Sequence, residues 1–250
     1  VLIQNPRGNY SFLKGISPYS AGVVAAPGYE VEHARLFPAL PLERGFALVD
    51  RHLRALGRPR QALCAMELRL PQPLSFQGFA DFNARYVKVL ESWGIFEQGL
   101  NPVARTNVAP EVHRFSEPSL YGFSYTLPSQ HAAKTFVVAG AGELPEGSLD
   151  PHDVVRRGDT SADALREKVR FVMGLMEGRL RGMGVEWTGV SVSDVYTVHE
   201  FCPLVAREVL ERMGPAARQG LTWHYARPPI LSIEYEMDLR GCRREVLLSE

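Results

Sequence analysis

Lysine is scarce in this chain of 250 residues: only Lys14, Lys88, Lys134 and Lys168 occur among 28 basic side chains, and the rest are arginine. That excess has two readings, guanidinium forks for carboxylates or the codon usage of a GC-rich genome. Net charge is missing too, because 28 acidic residues balance the basic ones. Nucleic-acid and membrane-surface binding need a concentrated basic patch and are not expected. No apolar run approaches the roughly 18 residues of a membrane span, and no signal-peptide core opens the chain, so a cytoplasmic location is expected. Cys64, Cys202 and Cys242 are odd in number and far apart, with no C-x-x-C pair, which argues against a disulfide framework or a thiolate zinc site. The seven histidines make no H-x-x-x-H or H-E-x-x-H pair. A nucleophile elbow, G-x-S-x-G, is also absent, and Gly140-Ala141-Gly142 stops short of a dinucleotide fingerprint. Neither a metal nor a cofactor is expected.

What is present is a folded composition, 45% apolar and 22% charged, in a chain long enough for two domains. Element order repeats. Residues 19–26 and 30–37 read as strands joined at Pro27-Gly28. A helix is expected over 42–56, where Phe46, Val49, Leu53 and Leu56 recur at helical spacing and Gly57 closes it. A strand follows at 62–70, then a helix at 76–93 and strands at 105–112 and 119–127. The second half repeats the pattern: a strand at 135–144, a helix begun by a Thr160/Asp163 capping box, a strand at 190–198, a helix at 204–213, and strands at 220–230, 231–239 and 243–248. Matching elements over the middle of the repeat lie about 127 residues apart, and the offset shrinks near the last strands. The expected architecture is α+β: two tandem β-β-α-β-α-β-β domains, residues 1–128 and 135–250, forming a pseudo-dimer. One sheet face per unit is left for its twin and for self-association.

Several short motifs carry a resemblance. Gly15-Ile16-Ser17-Pro18-Tyr19-Ser20 resembles the G-P-Y-S opening of the Rid (reactive intermediate deaminase) family. Asn101-Pro102-Val103-Ala104-Arg105-Thr106 resembles its P-x-R-[ST] motif, and Phe82-Asn83-Ala84-Arg85-Tyr86 the helix before it. Phe136-Val137-Val138-Ala139-Gly140, Asp194-Val195-Tyr196-Thr197 and Ile233-Glu234-Tyr235-Glu236 resemble three of its strands. The resemblance implies a chorismate-mutase-like fold, a homo-oligomer with a trimer favoured, and a composite site between the halves. There, Arg105 and Tyr19 would face Gly140 and Glu236. The second half's counterpart of the P-x-R arginine is either Arg218 or Arg227.

Arg105 offers a fork of donors for a substrate carboxylate; its alternative is an ion pair with Glu111 or Glu117. Glu236 would position water, or else face solvent on its strand. Tyr19 would orient substrate, or simply pack. Asn83, on the apolar face of its helix, is expected to bond a loop backbone. Trp223, with His224, Tyr225 and Arg227, would form a pocket wall or a plain edge strand. The implied activity is hydrolytic deamination of a small carboxylate-bearing imine or enamine. A chorismatase-like hydrolase and a non-catalytic ligand-binding protein are the alternatives. A ribonuclease role sits poorly with the balanced charge.

Overall fold

The computed structural model describes all 250 residues. Its chain begins with a hairpin, β1 (Leu2–Asn5) and β2 (Tyr10–Leu13), that hydropathy did not signal, followed by β3 (Gly22–Ala25). The long strand β4 (Tyr29–Pro41) leads into α1 (Leu42–Ala55), which buries Phe46, Val49 and Leu53. Gly57, at φ +65°, ends that helix in the left-handed region where a Cβ would be strained. Next come β5 (Leu63–Arg69), α2 (Phe76–Ser92), β6 (Ala104–Pro110) and β7 (Ser119–Pro128). The Ser75 side chain caps α2 by accepting the Gly78 N–H at 3.0 Å.

The second half supplies β8 (Phe136–Gly142) and α3 (Ala162–Met183). The cap of α3 is Ser161, which accepts the Ala164 N–H, and not the expected Thr160. After β9 (Val192–Tyr196), the expected helix over 204–213 is broken: α-helical at Cys202–Leu204 and Glu211–Met213, π-helical at Val205–Leu210 between them. The strand expected at 220–230 splits into β10 (Thr222–His224) and β11 (Ala226–Arg227), which lie in different sheets. Residues 231–235 turn before β12 (Glu236–Gly241) begins, because Pro228 and Pro229 cannot donate to a ladder and Ser232 sits at φ +76°. The last strand is β13 (Glu245–Leu248).

The fold is mixed α+β with two sheets. One runs β1-β2-β3-β8-β12-β9-β10 and the other β11-β6-β5-β7-β4-β13. The blocks β8-β12-β9-β10 and β4-β7-β5-β6 repeat each other: a parallel pair (β9 with β10, β5 with β6) continues through antiparallel neighbours. The repeated unit is therefore β-α-β-α-β-β. Its expected leading strand comes from the opposite half of the chain. β3 pairs antiparallel with β8, and β13 pairs parallel with β4. Pro27-Gly28 accordingly makes no hairpin: it carries the chain from one sheet to the other.

Burial follows this plan. α3 and the broken helix cover one sheet around Val169, Val172, Met176 and Val195. α1 and α2 cover the other around Val49, Leu53, Tyr86 and Phe123. Between the sheets, Tyr10, Phe12 and Val23 meet Val31, Cys64 and Ala104. No helix is long and apolar enough to cross a membrane.

One strut is ionic. Lys168 of α3 and Glu143, both fully buried, meet at 2.9 Å. Glu143 also accepts the N–H groups of Glu234 (2.7 Å) and Tyr235 (3.1 Å), which fixes the chain just before Glu236. Lys168→Met would leave a buried carboxyl without its cation and is expected to destabilise the fold by about 3–5 kcal/mol, read from the urea midpoint.

Candidate functional site

Two loops are tied together first. The Asn101 side chain donates to the Pro18 carbonyl (2.7 Å) and accepts the Val103 N–H (3.0 Å). Ser20 donates through its hydroxyl to the Pro102 carbonyl (2.9 Å) and through its N–H to the Val103 carbonyl (3.0 Å). The result sets Tyr19 against Arg105, with the guanidinium carbon 4.6 Å from the ring centre. One face of α2 completes an aromatic box: Tyr86 at 4.7 Å, Phe79 at 5.6 Å and Phe82 at 5.7 Å. Asn83, expected to bond a loop backbone, instead accepts from Arg105 Nη2 at 2.7 Å and orients the guanidinium.

Arg105 is 2% exposed, and its Nε and Nη1 have no protein partner. The structural ion pair with Glu111 is not formed; Glu111 grips Arg227 at 2.8 Å and Arg114 at 3.4 Å. Burial lowers the Arg105 pKa, yet a guanidinium remains a cation in a protein. A buried cation without a counter-ion is costly.

Glu236 begins β12, facing Gly142 on β8 and Tyr196 on β9. Burial, reinforced by Asp238, pushes its carboxyl well above the usual carboxylate range, against the opposing pull of Arg179 and Arg105. Its position depends on Gly140, where an added Cβ would lie 2.2 Å from Glu236 Oε1. Tyr19, Arg105, Gly140 and Glu236 line one cavity of about 70 Å³, shared with Asn107 and Arg179. The Asn107 amide is 3% exposed and neither its oxygen nor its nitrogen has a partner.

A polar network lies behind Glu236. The Tyr196 hydroxyl donates to Asp238 at 2.9 Å, and Arg240 meets Asp194 at 3.0 Å and also pairs with Glu67. Burial first, then the Asp194 carboxylate, pushes Asp238 up to about 7.

Three sequence candidates stand outside the cavity lining. Arg218 is exposed on the segment Gly214–Gln219. Arg227 is engaged by Glu111. Trp223 is 40% exposed and donates from Nε1 to the Thr197 carbonyl at 2.9 Å. No three His, Cys, Asp or Glu side chains are grouped to hold a metal ion. Three residues went unflagged: Asn107, Arg179 and Glu146. Asn107 shares the strand face of Arg105 two residues on. Arg179 sits on the apolar stripe of α3 between Met176 and Leu180, a charge where the pattern calls for none.

A family model described as 2-aminomuconate deaminase CnbZ matches residues 2–246. The chain belongs to this deaminase family. It is 46% identical over 244 residues to a 2-amino-5-chloromuconate deaminase of Comamonas testosteroni, covering 96% of each chain. Among solved structures, a chorismatase aligns with TM-score 0.52 at 12% identity, over 96% of this chain and 79% of that one. A cyanuric acid hydrolase aligns with TM-score 0.40 at 9% identity, over 88% and 69%. The Rid assignment is thereby corrected: the matching family is the 2-aminomuconate deaminases, and the fold neighbour is a chorismatase. Short strand motifs misled because alternating apolar residues ending in Gly or Glu recur wherever a strand meets a turn. The two repeated units stand, but each sheet takes one strand from the other half of the chain.

Two outcomes are expected for this deaminase. Gly140→Ala should keep the fold but displace the Glu236 carboxyl, lowering kcat roughly a hundredfold in a steady-state assay. Asp238 holds its proton more tightly folded than unfolded, where its value is about 3.9. The stability tied to that proton is complete below the unfolded value and is lost as pH rises through about 7. Between pH 5 and 8 the urea midpoint of the wild type should fall more steeply than that of Asp238→Asn; parallel curves would place the titration elsewhere.

Proposed function

We propose that the cavity hydrolyses the enamine or imine of a 2-aminomuconate-type substrate, releasing ammonia and a 2-oxo acid. The observation that carries this reading is the buried Arg105 cation with two donor nitrogens unpartnered, sharing a cavity with a carboxyl whose pKa is raised. The substrate class comes from the names of the family and of the curated relative.

Arg105 binds the carboxylate next to the amino-bearing carbon, as its fork suits. Tyr19, whose hydroxyl burial keeps protonated, stacks on the guanidinium and limits its motion. Glu236, whose proton is held more tightly because its carboxyl is buried, gives that proton to the enamine carbon and so generates the iminium. As a carboxylate it then takes a proton from the water that forms the C–O bond. The resulting carbinolamine receives that proton on nitrogen, the C–N bond breaks, and the hydroxyl proton leaves as the carbonyl forms. Ammonia departs and Glu236 is restored on deprotonating the hydroxyl. Positioning and electrostatics supply this chemistry, because addition of water to an iminium has a modest barrier. Asn107 offers an amide to the amino group or to the water.

The test is ammonia release from 2-aminomuconate. Arg105→Ala is expected to raise KM and cut kcat/KM by roughly a hundredfold or more, since a charge-assisted bidentate contact is lost. Glu236→Gln keeps the shape without the transferable proton. It should lower kcat by about 10²–10⁴ and erase the fall in kcat that the wild type shows as pH rises through the elevated Glu236 pKa. Full activity in Glu236→Gln would remove that residue from the mechanism.

A further inference from the structure

The cavity holds a second arginine whose ligand is already in place. Arg179 is 8% exposed and is fixed from behind, where Nη1 donates to the main-chain carbonyls of Ala139 (2.8 Å) and Gly140 (3.4 Å). Its other edge grips Glu146 in a fork-to-fork pair, Nε to Oε1 at 2.6 Å and Nη2 to Oε2 at 3.1 Å. The partners differ in anchorage. Arg179 is held by a strand and by its own helix. Glu146 has a side chain 45% exposed and sits in the turn after β8, beside Gly147 at φ +81°. The pair also stands at a boundary: Arg179 and Glu146 line both the inner cavity and an open groove of about 540 Å³ outside it.

Resting on the deaminase reading of the cavity, we propose that Arg179 is the subsite for the second carboxylate of a dicarboxylate substrate, and that Glu146 is an internal surrogate which vacates the fork when substrate enters. Arg105 then holds the carboxylate beside the reacting carbon and Arg179 the one at the far end. Arg179 keeps its two main-chain bonds in both states, so the fork is preorganised. Glu146 is half-exposed and returns to water at little cost, whereas an incoming carboxylate restores both charge-assisted bonds. Swinging Glu146 aside joins the inner cavity to the groove and widens the space open to a six-carbon diacid. Competition from Glu146 sets the selectivity. A monocarboxylate offers nothing to displace it, and a diacid does.

Equilibrium binding of two unreactive ligands tests this apart from turnover. Muconate and sorbate share a six-carbon diene and differ by one carboxylate. Titration calorimetry on the wild type is expected to give tighter binding of muconate. Arg179→Gln should weaken muconate roughly tenfold to a hundredfold, to the level of sorbate, while leaving sorbate unchanged. Glu146→Ala, on an exposed loop and expected to fold normally, should tighten muconate more than sorbate. Equal affinity for the two ligands in the wild type overturns the proposal. So does an equal loss for both in Arg179→Gln, or weaker muconate binding in Glu146→Ala. If Arg179→Gln does not fold, Glu146→Ala decides alone. Muconate preference without ammonia release from 2-aminomuconate would retire the deaminase reading and keep the subsite. Ammonia release without that preference would do the reverse.

Discussion

Neither sheet is complete without a strand from the other half of the chain. β3 reaches into the second repeat to pair with β8, while β13 returns to the first to pair with β4. Because these pairings are backbone ladders, they tie the two units together through main-chain hydrogen bonds as well as side-chain packing. The cavity is a consequence. β6 from one sheet and β8 and β12 from the other meet where the apolar filling between the sheets gives way to polar groups, and Arg105, Gly140 and Glu236 face one another there.

The interior between the sheets runs against the usual preference for apolar filling. Arg105 is buried without a counter-ion, Glu236 is buried in a form that resists ionisation, and Asp238, Arg240, Glu67 and Asp194 form a compact network behind them. A low-dielectric setting makes each unpaired polar group expensive. The fold bears that cost through its two apolar layers, where the helices cover the outer faces of the sheets. The aromatic box around Arg105 confines a charge without neutralising it, which leaves the electrostatic pull available to a ligand.

Much of this was legible in the amino-acid pattern, for identifiable reasons. α1 and α2 carry regular apolar stripes, so their limits were readable to within a residue or two, and the start of α3 was readable from its cap. The duplication showed itself as a repeated element order with a nearly constant offset over the middle, and the two four-strand blocks repeat that order. Arg105, Tyr19, Gly140 and Glu236 were assembled through a resemblance to the wrong family, although the cavity brings these four together. What escaped was non-local. No periodicity distinguishes a hairpin from a crossing between sheets, so Pro27-Gly28 read as the former. Arg218, Arg227 and Trp223 were chosen by proximity in sequence to prolines and aromatics; Arg218 is exposed, and the partners of the other two lie elsewhere. Arg179 was hidden inside an otherwise apolar helix face, and its role depends on carbonyls 40 and 39 positions away.

The exchange of strands also bears on synthesis. The segment carrying β1, β2 and β3 is synthesised before the ladder partner of β3, which is β8, about a hundred residues later. The first repeat, in turn, keeps an open edge on β4 until β13 arrives about two hundred residues later. Neither unit can close behind the translating ribosome as an independent domain would. Long-range pairing of this kind delays productive closure. The two strand edges therefore wait for different lengths of chain, about a hundred residues for β3 and about two hundred for β4.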